Sequence, residues 1–165
     1  MSAATIETIR IQTSDGLHVA CDVLGRSGSR CPVIFLHGGG QTRHSWGSTA
    51  SQVAVNGHPC WSVDLRGHGE SDWAADGDYS TEAMVEDLGA ILTQIGRPPV
   101  LVGASMGGLV GLMSEGKLRP GGLWGRVLVD VATQREAEGV ERIVSFMSGA
   151  PDGFATLEEA ADAIA

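Results

Sequence analysis

The sequence has no long hydrophobic run, no cluster of basic residues and no paired cysteines, and each absence excludes a class of protein. No stretch of the 165 residues approaches the ~20 apolar residues that a bilayer-spanning helix needs. Met1 to Arg10 has neither the basic nor the apolar segment of a secretory leader. With 11 Lys and Arg against 20 Asp and Glu, a net charge of -9 and no cationic patch, the chain lacks the footprint for nucleic acid or an anionic membrane surface. Cys21, Cys31 and Cys60 are odd in number, widely spaced and without C-x-x-C pairing. They imply neither a disulfide framework nor a zinc site, and all three are expected as small buried hydrophobes. No metal or other cofactor is implied. What is left is a cytoplasmic protein with a composition, 42% hydrophobic and 19% charged, that suits a single globular core.

The chain alternates two periodicities. Ile6 to Gln12 and Leu17 to Leu24 alternate apolar and polar residues around Thr13-Ser14-Asp15-Gly16, which predicts an antiparallel hairpin. Pro32 to Leu36, Cys60 to Val63, Val100 to Val102 and Arg126 to Val131 are continuous apolar runs, read as buried strands. Between them, Thr42 to Val55 is expected to be helical. Met84, Leu88, Ile91, Leu92 and Ile95 mark one helix face, capped by Ser80 or Asp78 and closed by Gly96-Arg97-Pro98. Val140, Ile143, Val144 and Met147 recur at helical spacing, and Thr156-x-x-Glu159 is a capping box opening a last helix with Leu157, Ala160, Ala161 and Ile164 on one face. Strands alternating with helices imply an α/β fold with a mostly parallel sheet, helices on both faces and ligand-collecting loops at the carboxyl ends of the strands. Three glycine-rich turns fall at such ends: His37-Gly38-Gly39-Gly40, Asp64 to Asp72, and Gly103 to Gly108.

The third turn carries the chemistry. Gly103, Ser105 and Gly107 form G-x-S-x-G between a strand and a helix whose apolar positions are Met106, Leu109, Val110 and Met113. In that context the glycines permit a sharp turn that exposes the serine hydroxyl, and the helix start aims free N–H groups at the same spot. A glycine-rich connection in which Ser105 only caps the helix is the alternative.

Taken together, His37-Gly38-Gly39 with Trp46 beyond it, Asp64-Leu65-Arg66-Gly67-His68-Gly69-Glu70-Ser71-Asp72, and Gly103-Ala104-Ser105-Met106-Gly107-Gly108 resemble the amino-terminal part of an α/β-hydrolase-fold enzyme. The resemblance covers essentially the whole chain. It implies that residues 1–132 form the hydrolase core through its sixth strand, lacking the last strands, and that residues 133–165 begin a helical cap or lid. It implies Ser105 as nucleophile, the N–H groups of Gly39 and Met106 as oxyanion donors, and His37 and Gly38 as residues that order the oxyanion loop. Asp64, Arg66 and His68 are expected to shape their own loop. A serine rather than an aspartate at the elbow implies attack on the carbonyl of a small-molecule ester, thioester, lactone or similar substrate. Leu36, Trp46, Met106 and Trp73 could line an acyl pocket or belong to plain core and lid packing.

In this family the acid and the histidine follow the serine, yet His18, His37, His44, His58 and His68 all precede Ser105. No residue of the chain is expected as the base, and Asp130 is a weak candidate for the acid. The chain is accordingly expected to be cut within its lid, to be inactive and marginally folded by itself, and to self-associate through an exposed edge at its apolar sixth strand. A binding module or degenerate remnant on the same fold is the competing reading.

Overall fold

Gly16, at φ +91°, turns the chain between β1 (Ile6–Gln12) and β2 (His18–Leu24), and the Thr13 N–H donates to Leu17 O at 2.8 Å. The two strands pair antiparallel from Ile6 opposite Leu24 to Gln12 opposite His18. This computed structural model describes residues 5–117, 121–131, 145, 148–150 and 153–163. The chain divides into two compact units, Met1–Val131 and Ala132–Ala165.

In the first unit β3 (Val33–Leu36), β4 (Cys60–Val63), β5 (Val100–Ala104) and β6 (Gly125–Val129) complete a six-stranded sheet in the order β1-β2-β4-β3-β5-β6. β4 pairs antiparallel with β2, and β4, β3, β5 and β6 run parallel. Every residue of β3 and β4 is buried, as continuous apolar runs require when both sheet faces are covered. Alternation sorts them by face. Ile34 and Leu36 pack with Met84, Val85, Leu88 and Ile91 of α2 (Thr81–Ile95) and with Val110 of α3 (Met106–Lys117), whereas Val33 and Phe35 pack with Ala50 and Ala54 of α1 (Gly47–Val55). Helices thus lie on both faces.

α2 begins and ends where its sequence says. The Ser80 hydroxyl accepts the Ala83 N–H at 3.2 Å, and Gly96, left-handed at φ 75°, returns its N–H to Leu92 O. Asp78 instead accepts the Ser80 N–H. The segment expected as one helix from Thr42 is two: a 3-10 turn over Arg43–Trp46, then α1 from Gly47. No side chain caps either start, and the break places the buried Arg43 toward Asp64. β6 runs from Gly125 to Val129 rather than from Arg126 to Val131, so Asp130 lies past its end.

Cys21 and Cys60 are buried, and burial pushes the Cys60 thiol up to about 12. Cys31, expected to be buried too, is only half-buried, its sulfur 3.5 Å from Pro32 O.

In the second unit α4 (Leu157–Asp162) opens on the expected cap. Thr156 Oγ1 accepts the Glu159 N–H at 3.1 Å, and Glu159 Oε2 reaches back to the Ala155 N–H, one residue before the cap. Val140, Ile143, Val144, Met147 and Ile164 lie outside the described residues. No helix among the described residues is long and apolar enough to cross a membrane.

Candidate active site

β3 and β5 are neighbours in register, with Leu36 opposite Gly103, so the turns that follow them emerge side by side. Between β5 and α3, Ser105 takes φ 44°, a left-handed conformation that L-residues adopt at a cost of roughly 1–2 kcal/mol. The glycines around it are required by contact. A Cβ at Gly103 would stand 2.6 Å from Gly107 O, and one at Gly107 would stand 2.5 Å from Leu36 O. The turn is clamped on both sides, with the Ser105 N–H on Val129 O at 3.0 Å and the Gly107 N–H on His37 O at 3.1 Å. Ser105 is exposed, and its hydroxyl has no hydrogen-bond partner among the described residues. Strain imposed by neighbours on an exposed hydroxyl is how functional backbone outliers arise.

The turn after β3 folds over this point. A Cβ at Gly38 would lie 3.6 Å from Ser105 Cβ, and one at Gly39 would lie 4.0 Å from Met106 Sδ. Within the turn Gln41 N donates to Gly38 O at 3.2 Å, and Gln41 Oε1 accepts the Gly38 N–H at 3.1 Å. Gly40 N donates to His68 Nε2 at 3.3 Å. The N–H groups of Gly39 and Met106 have no partner among the described residues. Two unpartnered donors, one at a helix start, therefore accompany the serine. An anion developing there would complete their hydrogen bonding.

His37 is fully buried, with Nε2 accepting the Leu65 N–H at 3.0 Å and Nδ1 donating to Gly38 O at 2.8 Å. Burial holds it below the ordinary imidazole range. With Nε2 accepting and Nδ1 donating, the ring bridges the turn after β3 and the loop after β4.

The run Asp64 to Asp72 is fastened by charges. Asp64, fully buried, accepts the N–H groups of Arg43 and Glu70 and the Arg43 guanidinium. Burial pushes its carboxyl up, but these donors outweigh it and hold it below the usual range. Arg43 also pairs with Glu70 and stands 3.0 Å from Asp22 Oδ1. Arg66 forks onto both Asp87 oxygens at 2.6 and 2.7 Å and reaches Asp15 at 2.9 Å. Thus the loop is tied to the 3-10 turn, to α2 and to the opening hairpin. Gln41, Arg43, Asp22 and Asp87 were not singled out from the sequence. Asp87 did leave a signal: it interrupts the buried face of α2 beside Leu88, where an unpaired carboxylate would be costly.

The other expected residues scatter. Asp130 is exposed at φ 51°, one residue beyond the Val129 carbonyl that clamps Ser105, and its carboxylate has no partner among the described residues. Of the suggested pocket residues, Leu36 is fully buried in the core, Trp46 packs on Phe35 with ring centroids 5.4 Å apart, and Trp73 is 75% exposed against Tyr79. His18 bonds Asp72, His58 bonds Cys31 O, and His44 is exposed 3.8 Å from Asp22.

A family model described as alpha/beta hydrolase fold matches residues 32–114, from the strand before the His37 turn into α3. An esterase of Mycobacterium tuberculosis is 40% identical over 123 residues, 72% of this chain and 40% of that protein. Protein phosphatase methylesterase 1 of Bos taurus is 33% identical over 141 residues, 82% of this chain and 37% of that protein. Among solved structures, an alpha/beta hydrolase from Novosphingobium aromaticivorans aligns with a TM-score of 0.77 at 30% identity, over 86% of this chain and 50% of that one. The chain spans between a third and a half of the length of these curated relatives. Sheet order, elbow and similarity agree, and the chain belongs to the alpha/beta hydrolase fold family.

Proposed function

We propose that this chain carries the nucleophile and oxyanion donors of a hydrolase that acts on a small-molecule carbonyl substrate of the ester class. The observation that carries this reading is the pair of unpartnered N–H groups, Gly39 and Met106, beside an exposed and strained Ser105. The names of the relatives, an esterase and a methylesterase, favour an ester bond. In the reaction, Ser105 Oγ bonds to the carbonyl carbon while its proton passes to a base, and the carbonyl oxygen becomes an anion facing the two N–H groups. Collapse expels the alcohol, which takes that proton back from the base, and leaves an acyl-enzyme, which water cleaves to the acid and the free serine.

His37 and Gly38 set the shape of the oxyanion loop in this reading. Asp130, beside the carbonyl that clamps Ser105, is the acid candidate within the chain. Residues 133–165 are read as the start of a cap. No histidine follows Ser105 in the 165 residues, so the chain alone is expected to turn over poorly. The unpartnered Ser105 hydroxyl favours a second reading, a binding module that holds a carbonyl or carboxylate without cleaving it. Exposure to a fluorophosphonate separates the two. We expect slow labelling confined to Ser105 and lost in Ser105→Ala; an unlabelled Ser105 together with reversible binding of an ester analogue would favour the binding module.

A further inference from the structure

Three of the four residues in the turn Gly38 to Gln41 are glycine, the residue with the least conformational preference of its own. Gly40 sits at φ 72°. Such a segment takes a single shape only if bonds from outside impose it. His37 supplies one, through Nδ1 to Gly38 O at 2.8 Å, and Gln41 closes the turn on itself. The remaining bond comes from a different loop: Gly40 N donates to His68 Nε2 at 3.3 Å. His68 Nδ1 lies 3.0 Å from Arg66 O, an acceptor, so the proton belongs on Nδ1 and Nε2 keeps its lone pair for Gly40. The ring is half-buried, with its centroid 5.0 Å from that of His37. Its own loop is anchored by the Arg66 fork to Asp87 and by the Asp64 bonds to Arg43 and Glu70. The Gly39 N–H is left over, flanked by two neighbours whose N–H groups are both engaged.

We propose that His68 is a positioning residue for the oxyanion loop: as the neutral Nδ1–H tautomer it accepts the Gly40 N–H and holds the turn so that the Gly39 N–H stays free beside Ser105. This rests on reading Gly39 as an oxyanion donor, and it assigns to the Asp64 to Asp72 run a task beyond shaping itself. His68 touches no reacting atom; it acts through one amide bond on the next residue.

The test uses the full 165-residue chain, isotope-labelled for NMR, with His68→Phe, which keeps a ring but no acceptor, and His68→Gln, which restores one. Long-range proton–nitrogen correlation should find His68 protonated at Nδ1. Hydrogen exchange at the Gly40 amide should quicken by about three- to tenfold in His68→Phe, in line with one neutral hydrogen bond, and return toward wild type in His68→Gln. The Gly39 resonance and the fluorophosphonate rate at Ser105 should follow the same order. An Nε2–H tautomer overturns the proposal without recourse to any variant. So does an unchanged Gly40 amide in His68→Phe, or an unchanged Ser105 labelling rate once Gly40 is released. Failure of the hydrolase reading looks different: Ser105 then never labels, while the Gly40 and Gly39 amides still report on the brace.

Discussion

Ser105 is held in a conformation that serine does not favour, and the clamp comes from both sides, Val129 O on its own N–H and His37 O on Gly107. If the strain serves the hydroxyl rather than the fold, removing the side chain should relieve it. Ser105→Gly is expected to raise unfolding stability by about 1 kcal/mol, read from the urea midpoint at unchanged slope, while abolishing labelling; a loss of stability would mean that the side chain supports the turn. The clamp is tertiary, but the turn itself is legible locally. Gly103 and Gly107 flanking a serine between a strand and a helix already announce a sharp turn, and the contacts with Gly107 O and Leu36 O explain why glycine stands at both places. The resemblance names Gly39 and Met106 as donors; what sequence alone could not supply was why the N–H groups on either side of Gly39 are engaged and its own is not. That depends on Gln41, which closes the turn locally, and on His68, which meets it only once β3 and β4 lie adjacent.

At the scale of elements, the segments that read correctly are those whose pattern and ends agree. α2 has its Ser80 cap, its Gly96 stop and an apolar face; the opening hairpin has its Asp15-Gly16 turn. The segment after Thr42 lacks a capping side chain, and there a tertiary bond takes over, with the Arg43 N–H on Asp64 Oδ1 at 2.6 Å. Buried charges were invisible for the same reason: Arg43 meets Asp64, and Arg66 meets Asp87, across 21 positions of sequence. Arg66 and Asp87 have side chains only 2% exposed, so Asp87 is the buried partner of Arg66, which without it keeps only the exposed Asp15 carboxylate and the Asp78 carbonyl. Asp87→Ala should therefore cost about 3–5 kcal/mol in chemical unfolding, far more than the loss of a surface pair. A cost below about 1 kcal/mol, the range of exposed pairs, would show that the fork is not what fastens the loop to α2.

For the whole molecule, the sheet presents two unlike margins. β1, at one side, is mostly exposed and alternates polar residues along its length. β6, at the other, leaves Val127, Leu128 and Val129 at 48%, 40% and 40% exposure with no strand beyond it among the described residues. An apolar margin with free backbone groups invites pairing. Leu128→Lys is expected to shift sedimentation toward monomer at concentrations where the unaltered chain associates; an unaltered chain that stays monomeric, or a variant that associates equally, would rule this margin out. The interior of the sheet carries a different kind of constraint. Leu36 and Gly103 stand opposite each other at the point where both chains leave the sheet, so the spacing between Gly39 and Met106 is set by how many residues each strand contains. One residue added to β3 would advance its turn by about 3.3 Å and reverse every side chain in it. Drift can therefore exchange apolar letters within these two short strands, Gly103 apart, but not lengthen them, and insertions must collect in connections that meet neither, such as Trp73 to Tyr79.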